Sequence, residues 1–391
     1  MGVNGRVQEP QPPYEGAKIG QMEQLVSRSS VAVSVLAPES FVIGDCEARE
    51  WDAFLARTPG GSYAQTSLWS SVKQKGGYRA RRFTVSLRGT IVGGAQVLIR
   101  RLPVWGAVGY VPLGPVSALL GNTEVARLLA SHLCKVAREE KIVYLAVQPP
   151  RDHEVFSGVL DDSGFVRTTL NIAPNATVQI DLSNSLERLL SNMHKTTKFN
   201  VKASQRKGVT VREGAREDLG TFCSLLSATA QRQDFVHPGQ NHFEHVWEVF
   251  SAGGHIRLFI AEYEGEAVSA ALLMAFGDTV TYWKTGWSGE HIGRRYPNEA
   301  IQWAAIQWAK SQGYRYYDFG GIHRRLGIDL LAGKSDHNPK EHGTSLYKVG
   351  YGGEVKLLPE ASAYVYNRLF RGIASKVSDM QMVSRTLSRL R

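Results

Sequence analysis

The chain has 391 residues, 43% apolar and 9% aromatic, which allows two cored domains of ordinary size. No window approaches the run of about 18 apolar residues that spans a bilayer. Val31–Ala37 is too short and too far in for a secretory signal, so a cytoplasmic location is expected. The net charge of +10 is concentrated in two places. Lys195, Lys198, Lys202, Arg206, Lys207 and Arg212 run without an acid, and a second group from Arg368 to Arg391 is relieved only by Asp379. Local positive charge of this kind points to a polyanionic partner. Cys46, Cys134 and Cys223 are far apart and odd in number, which argues for buried thiols over a disulfide framework or a zinc cluster.

In chain order, residues 1–30 are rich in Gly, Pro, Gln and Ser and are expected to form a disordered leader. A first domain is expected over 31–172, completed by a C-terminal helix within 356–391, and a second over 173–355. Trp51–Arg57 reads as a short helix. Gln65–Lys73 reads as a turn entering a second helix that stops near Gly76-Gly77. Ala80–Leu87 and Ile91–Arg101 are strand patterns joined at Arg88-Gly89-Thr90. A further strand ends at Pro112-Leu113-Gly114-Pro115, Glu124–Lys141 is helical, and Ile142–Val147 is a buried strand closing at Gln148-Pro149-Pro150.

The order then recurs. Phe259–Tyr263, a turn at Glu264-Gly265 and Ala267–Phe276 repeat the earlier hairpin, with Gly89, Val92 and Ala95 falling on Gly265, Val268 and Ala271 at a constant offset of 176. Ala137 and Tyr144 fall on Ala309 and Tyr316 at an offset of 172. Two copies of one α/β unit are implied, each with a mixed, mostly antiparallel sheet. Between them Ser185–Gln205 reads as one helix, its cations at 195, 198, 202 and 206 on one side.

The last third is the most distinctive. Pro297 suits the first turn of a helix that is apolar around most of its circumference, from Ala300 to Ala309, and Gly313 is a left-handed stop. Tyr314–Phe319 is an aromatic strand carrying Asp318 at its end, and Gly320-Gly321 lets backbone approach something closely. Residues 322–343 read as a polar loop, a mobile lid, and Lys348 reads as a lysine on a packed strand beside glycines. His323, His337 and His342 share that loop with Asp329 and Asp336, without a metal-binding spacing, so no metal is expected. There is also no G-x-S-x-G nucleophile motif.

Three motifs carry a resemblance: Pro297-Asn298 with Trp303, Ile306, Trp308-Ala309 and Gly313; Tyr317-Asp318-Phe319-Gly320-Gly321-Ile322; and Leu346-Tyr347-Lys348-Val349-Gly350-Tyr351-Gly352-Gly353. Together they resemble the second domain of the FemABX family, the peptidoglycan-bridge aminoacyltransferases built from two acetyltransferase-like (GNAT-type) domains. Where the family usually has F-K-x-x-F-G, this chain has Tyr347-Lys348-Val349-Gly350-Tyr351-Gly352. Gln65-Thr66-Ser67-Leu68-Trp69 with Lys73 resembles the family's first-domain signature. The resemblance spans roughly residues 50–357. It implies an α/β (α+β) fold of two tandem GNAT-like domains and transfer of an amino acid from aminoacyl-tRNA to an amine of a peptidoglycan precursor, with no cofactor.

The same resemblance implies roles for single residues. Lys348 would act at the reacting carbonyl, and Asp318 would either hold the Gly320-Gly321 turn or polarise the amine. Trp69, Lys73, Tyr282, Lys284, Arg232, His237 and Tyr347 would contact the precursor, with Lys73 on its phosphates. Apart from the resemblance, the one-sided run of Lys195, Lys198, Lys202 and Arg206 suits phosphates, those of tRNA or of a nucleotide diphosphate. Where the family often has an acid at the end of the first-domain strand, Gln148 cannot act as a base. Gly289–Arg295 lacks the glycine-rich turn of an acetyl-CoA enzyme. Two alternatives stay open: acylation of a non-cell-wall amine, such as a metabolite or polysaccharide sugar, and a non-catalytic RNA- or membrane-binding protein. The basic C-terminal segment is compatible with contact to an anionic membrane.

Overall fold

The computed structural model describes residues 41–366 other than 104–105, 169, 171, 290–291, 293 and 335–337. The expected leader, most of the expected C-terminal helix, His337 and Asp336 lie outside these residues. The first unit contains β1 (Phe41–Asp45), α1 (Ala48–Arg57), α2 (Ser67–Gln74), β2 (Tyr78–Leu87), β3 (Thr90–Leu102), β4 (Gly106–Pro112), β5 (Val116–Ser117), α3 (Thr123–Glu139), β6 (Ile142–Gln148), α4 (Val155–Asp162) and β7 (Val166–Arg167). The second contains β8 (Ala176–Asp181), α5 (Leu186–Asn192), α6 (Lys195–Arg206), β9 (Thr210–Gly214), α7 (Leu219–Gln233), α8 (Gln240–Ser251), β10 (Ile256–Tyr263), β11 (Glu266–Phe276), β12 (Thr279–Trp287), α9 (Pro297–Ser311), β13 (Tyr316–Asp318), α10 (Arg324–Leu331), α11 (Pro339–Val349) and β14 (Glu354–Leu357). The chain then returns to the first sheet as β15 (Ser362–Val365).

The two sheets have one topology. Their orders are β1-β2-β3-β4-β6-β15-β7 and, reversed, β9-β10-β11-β12-β13-β8-β14. In each, all pairs are antiparallel except one, β4 with β6 and β12 with β13. The repeated hairpins turn at Arg88-Gly89 and Glu264-Gly265, all four residues at positive φ. That is the type I′ geometry whose twist matches the flanking strands, and glycine at its second position removes the steric penalty.

Helices cover the outer faces and also fill the space between the sheets. Asn122 caps α3 by accepting from the Glu124 and Val125 amides at 3.0 Å, and Val125, Leu129, Leu133 and Val136 bury its inner face on the first sheet. Helix α9 covers the outer face of the second sheet through Ile301, Ala305, Ile306 and Ala309. Between the sheets, Phe222 of α7 and Phe243, Val246 and Phe250 of α8 join Trp69, Tyr78, Leu98 and Tyr110 of the first unit in one cluster with Leu258 and Leu272 of the second. The halves thus share a hydrophobic core.

Four expectations are corrected. Residues 185–205 form two helices, because the chain straightens at Met193 and the His194 amide donates to the Gly350 carbonyl at 2.8 Å. The stretch 322–343 holds α10 and the first turn of α11 in place of a loop, and Lys348 stands in the last turn of α11, not on a strand. Residues 362–365, read as the start of a helix, are a strand between β6 and β7.

Candidate active site

A cavity of about 790 Å³ opens between the two units, past the ends of β6 and β13. Its first-unit wall is Tyr63, Trp69, Tyr110 and Arg151; its second-unit wall is Tyr282, Trp283, Lys284, Asp318 and Gly320-Gly321, with the start of α10 beside them. Among the described residues Asp318 is the acid of this lining, set against Arg151, Lys284, Arg324 and Arg325.

Local backbone irregularity aims the side chains. Strand alternation alone would send Trp283 and Lys284 to opposite faces. The β11–β12 register instead shifts between Leu272 and Leu273, Lys284 pairs with Leu272, and Trp283 packs against the same interdomain cluster as Leu272. A bulge therefore lets both line the cavity together with Tyr282, which also packs on the outer core. Trp283 meets Trp69 edge-on at 6.1 Å, and Trp69 meets Tyr63 at 5.6 Å. Gly320 has φ +71, and an added Cβ would stand 2.4 Å from the Tyr282 carbonyl oxygen, so the turn after β13 admits only glycine.

That turn sets the charged groups. Asp318 Oδ1 accepts from the Gly320 amide and from the Thr177 hydroxyl, each at 2.7 Å. Burial raises its pKa, and those two bonds, with Arg151 and Lys348, pull it back. One oxygen thus holds the turn, and the other is left to the cavity. Lys348 donates Nζ to the Gly321 carbonyl at 2.6 Å. Burial pushes its pKa down to about 8, against the attraction of Asp318 and helped by Lys284. Lys73 is buried beside Trp69, its Nζ 4.6 Å from the ring centre, and burial with the neighbouring Lys284 also lowers it to about 8. His242, on α8, is driven to about 4 by burial and by Lys73 and Lys284. The charge of Lys284 is thus felt by Lys73, His242 and Lys348 alike.

Other expected site residues stand elsewhere. Tyr347 packs behind the cavity wall, its hydroxyl accepting from Tyr351 at 2.9 Å. Arg232 donates to the Ser288 carbonyl at 3.1 Å and lies over the Trp287 ring, bracing the far end of β12. His237 contacts Ser227 Oγ at 3.1 Å and the Pro238 carbonyl. Neither lines the cavity, because α7 is wedged between the sheets with its last turn against the end of β12. Lys195, Lys198, Lys202 and Arg206 lie along α6 outside the cavity. Gln148 is fully buried; its Oε1 accepts from Ala173 N at 3.0 Å and its Nε2 donates to Pro174 O at 3.1 Å, which pins the crossover between the units. Asp329 is paired with Lys334 and Arg325, and no group of three or more His, Cys, Asp or Glu suited to a metal occurs among the described residues.

Sequence reading missed Tyr63, Thr177, His242 and Arg151. The repeat held a signal for Arg151, because it follows the strand that duplicates the one ending at Asp318. His153 fixes the segment: Nδ1 meets the Arg151 carbonyl at 2.9 Å, and Nε2 lies 3.0 Å from the Ser117 amide.

Comparison with known proteins agrees with this geometry. The FemAB family model matches residues 46–158, and an acetyltransferase (GNAT) domain model matches 191–329. A lipid II:glycine glycyltransferase of Staphylococcus epidermidis is 24% identical over 70% of this chain and 82% of its own length; one of Staphylococcus aureus is 23% identical over 70% and 83%. The crystal structure of FemX superposes with a TM-score of 0.74 at 21% identity, covering 85% of this chain and 99% of that one. A tandem GNAT protein from the clavulanic acid biosynthesis pathway superposes at 0.50 and 12% identity, covering 83% and 98%. The first of the two like sheets is thus matched by the FemAB family model and the second by a GNAT acetyltransferase domain model, and the whole chain shares the fold of FemX.

Proposed function

We propose that this protein transfers an aminoacyl group from aminoacyl-tRNA to an amine of a peptidoglycan precursor. One observation carries the reading: Asp318 and Lys284 of one unit line the same cavity as Arg151 and the aromatic side chains of the other, and Lys348 donates to the Gly321 carbonyl of that wall. The relatives' names, which specify lipid II and glycine, support the choice of acceptor and reaction class.

In this reaction the neutral amine nitrogen bonds to the ester carbonyl carbon, and the carbonyl π electrons move to oxygen. The bond from carbon to the ribose oxygen then breaks, and the amine's proton ends on that ribose oxygen. A lysine with pKa near 8 is about nine-tenths protonated at pH 7, so Lys348 supplies a fixed positive charge to the tetrahedral oxyanion. The free oxygen of Asp318 orients the attacking amine, and Lys73 with Lys284 attracts the precursor's phosphates. Trp69, Trp283 and Tyr63 form an apolar wall that limits water at the carbonyl.

The test is product identification. The protein is incubated with charged total tRNA and a panel of lipid-linked and soluble muropeptide precursors, and products are read by mass spectrometry. One added amino acid on a precursor amine is expected. Acylation confined to small metabolites or sugars, or no product with any acceptor, overturns the proposal.

A further inference from the structure

Helix α6 presents an unusual outward face. Lys195, Lys202 and Arg206 are exposed along one side, and Phe199 stands among them with 54% of its surface in solvent. A phenylalanine so placed has no core to serve. Its ring meets Tyr296 edge-on at 6.4 Å, and Lys207 lies over the Tyr296 ring at 4.8 Å. Tyr296 itself is held at φ +61, a conformation that costs a non-glycine residue energy. Among the described residues, none of Lys195, Lys198, Lys202, Arg206 and Lys207 forms an ion pair with an acid, whereas Arg212, just beyond, is paired with Asp218 and Glu262.

The start of the helix is also joined to the turn that follows α11. The His194 amide, capping α6, donates to the Gly350 carbonyl, and Thr197 Oγ1 packs so closely on Gly350 that a Cβ there would lie 2.4 Å away. Gly350 is two residues from Lys348.

We propose that the outward face of α6 is a platform for single-stranded RNA, with Phe199 stacking a base and Lys195, Lys202 and Arg206 taking phosphates. This rests on the reading of the donor as an RNA-borne aminoacyl ester and assigns where the strand lies. Stacking tolerates any base, and the cations track a backbone, which is the pairing that single-strand sites use. A membrane surface is a poorer match, because the exposed side offers one aromatic ring and no aliphatic stripe to bury.

The test is fluorescence anisotropy with a labelled single-stranded RNA ending in a free 3′-hydroxyl, a blunt duplex of the same sequence, and vesicles of anionic phospholipid. Wild-type protein is expected to prefer the single strand. Phe199→Ala should weaken it roughly ten- to a hundred-fold and Phe199→Trp should preserve it. Replacing Lys202 and Arg206 by Ala should flatten the dependence of log K on log salt by about 0.7 per lost phosphate contact. Equal binding by Phe199→Ala, or preference for the duplex or the vesicles, overturns the platform while leaving an RNA donor intact. No binding of any RNA overturns the donor reading as well.

Discussion

Lys73 and Lys348 both feel the charge of Lys284, and they are expected to respond differently to substitution. Lys348 loses its proton as pH rises through about 8, so transfer should fall above that pH if its charge stabilises the oxyanion. Lys348→Arg keeps the charge at every working pH. Its residual activity should therefore lack the alkaline fall, which a pH profile of kcat/KM will show; an unchanged alkaline limb would assign the titration to another group. Lys73 is a buried cation whose folded-state pKa, about 8, lies below its ordinary 10.5. Both states hold the proton below pH 8, so the full cost of burial applies there, and the unfolded chain binds more protons between 8 and 10.5, so stability rises across that window. Lys73→Met is expected to stabilise the protein by about 1–3 kcal/mol at pH 7 and by less at pH 10, while raising the precursor KM. Urea unfolding at both pH values measures the first effect. Loss of stability at pH 7 would show that the contacts of Lys73 outweigh the cost of burying its charge.

At the scale of elements, the turn after β13 is the least replaceable part. Gly320→Ala forces a Cβ against the Tyr282 carbonyl at positive φ, and should cost about 2–4 kcal/mol together with most activity. Gly343→Ala, in the exposed interior of α11 with nothing within 4 Å of the added carbon, should instead gain about 0.5–1 kcal/mol. Thermal unfolding of the two variants separates the predictions, and a tolerated Gly320→Ala would mean that the turn has room it does not show. Elements with strong local signals were legible in the sequence: both hairpins, α3 and α9 stand where periodicity and turn residues put them. The misreadings fall where a tertiary contact overrides local pattern. Residues 345–349 alternate like a strand, but as a helix they place Tyr347 and Val349 on the second core and bring Ser345 Oγ to the His323 amide at 3.0 Å. The break at Met193 serves the Gly350–Gly352 turn, which lies more than 150 residues away in the chain.

For the whole molecule, the repeat at offsets of 176 and 172 already implied two like sheets, and they are there. The composition of the cleft was not legible, because it depends on how α7 and α8 separate the sheets and on a bulge that no residue pattern announces. Asp318, singled out by motif resemblance, lines the cleft and Lys348 donates to the Gly321 carbonyl of its wall, whereas Arg232 and His237, drawn to the site by the same resemblance, stand outside it. The shared core has a mechanical consequence. Phe243 is fully buried and touches Phe222 at 5.1 Å and Trp283 at 6.0 Å. Phe243→Ala should cost about 3–5 kcal/mol and misplace Trp283 and Lys284. In the wild type, tryptophan fluorescence and circular dichroism should report one coincident unfolding transition; two separated transitions would mean that the units are energetically independent.

The most direct measurement is single-turnover transfer of a labelled amino acid from charged tRNA to a bound precursor, comparing wild type with Lys348→Ala. A drop of about 10²–10³ in rate, with precursor affinity unchanged, is expected for loss of one oxyanion-stabilising charge. Transfer at the wild-type rate, or a loss explained wholly by weaker precursor binding, would remove Lys348 from the reacting carbonyl and contradict a catalytic centre between the two sheets.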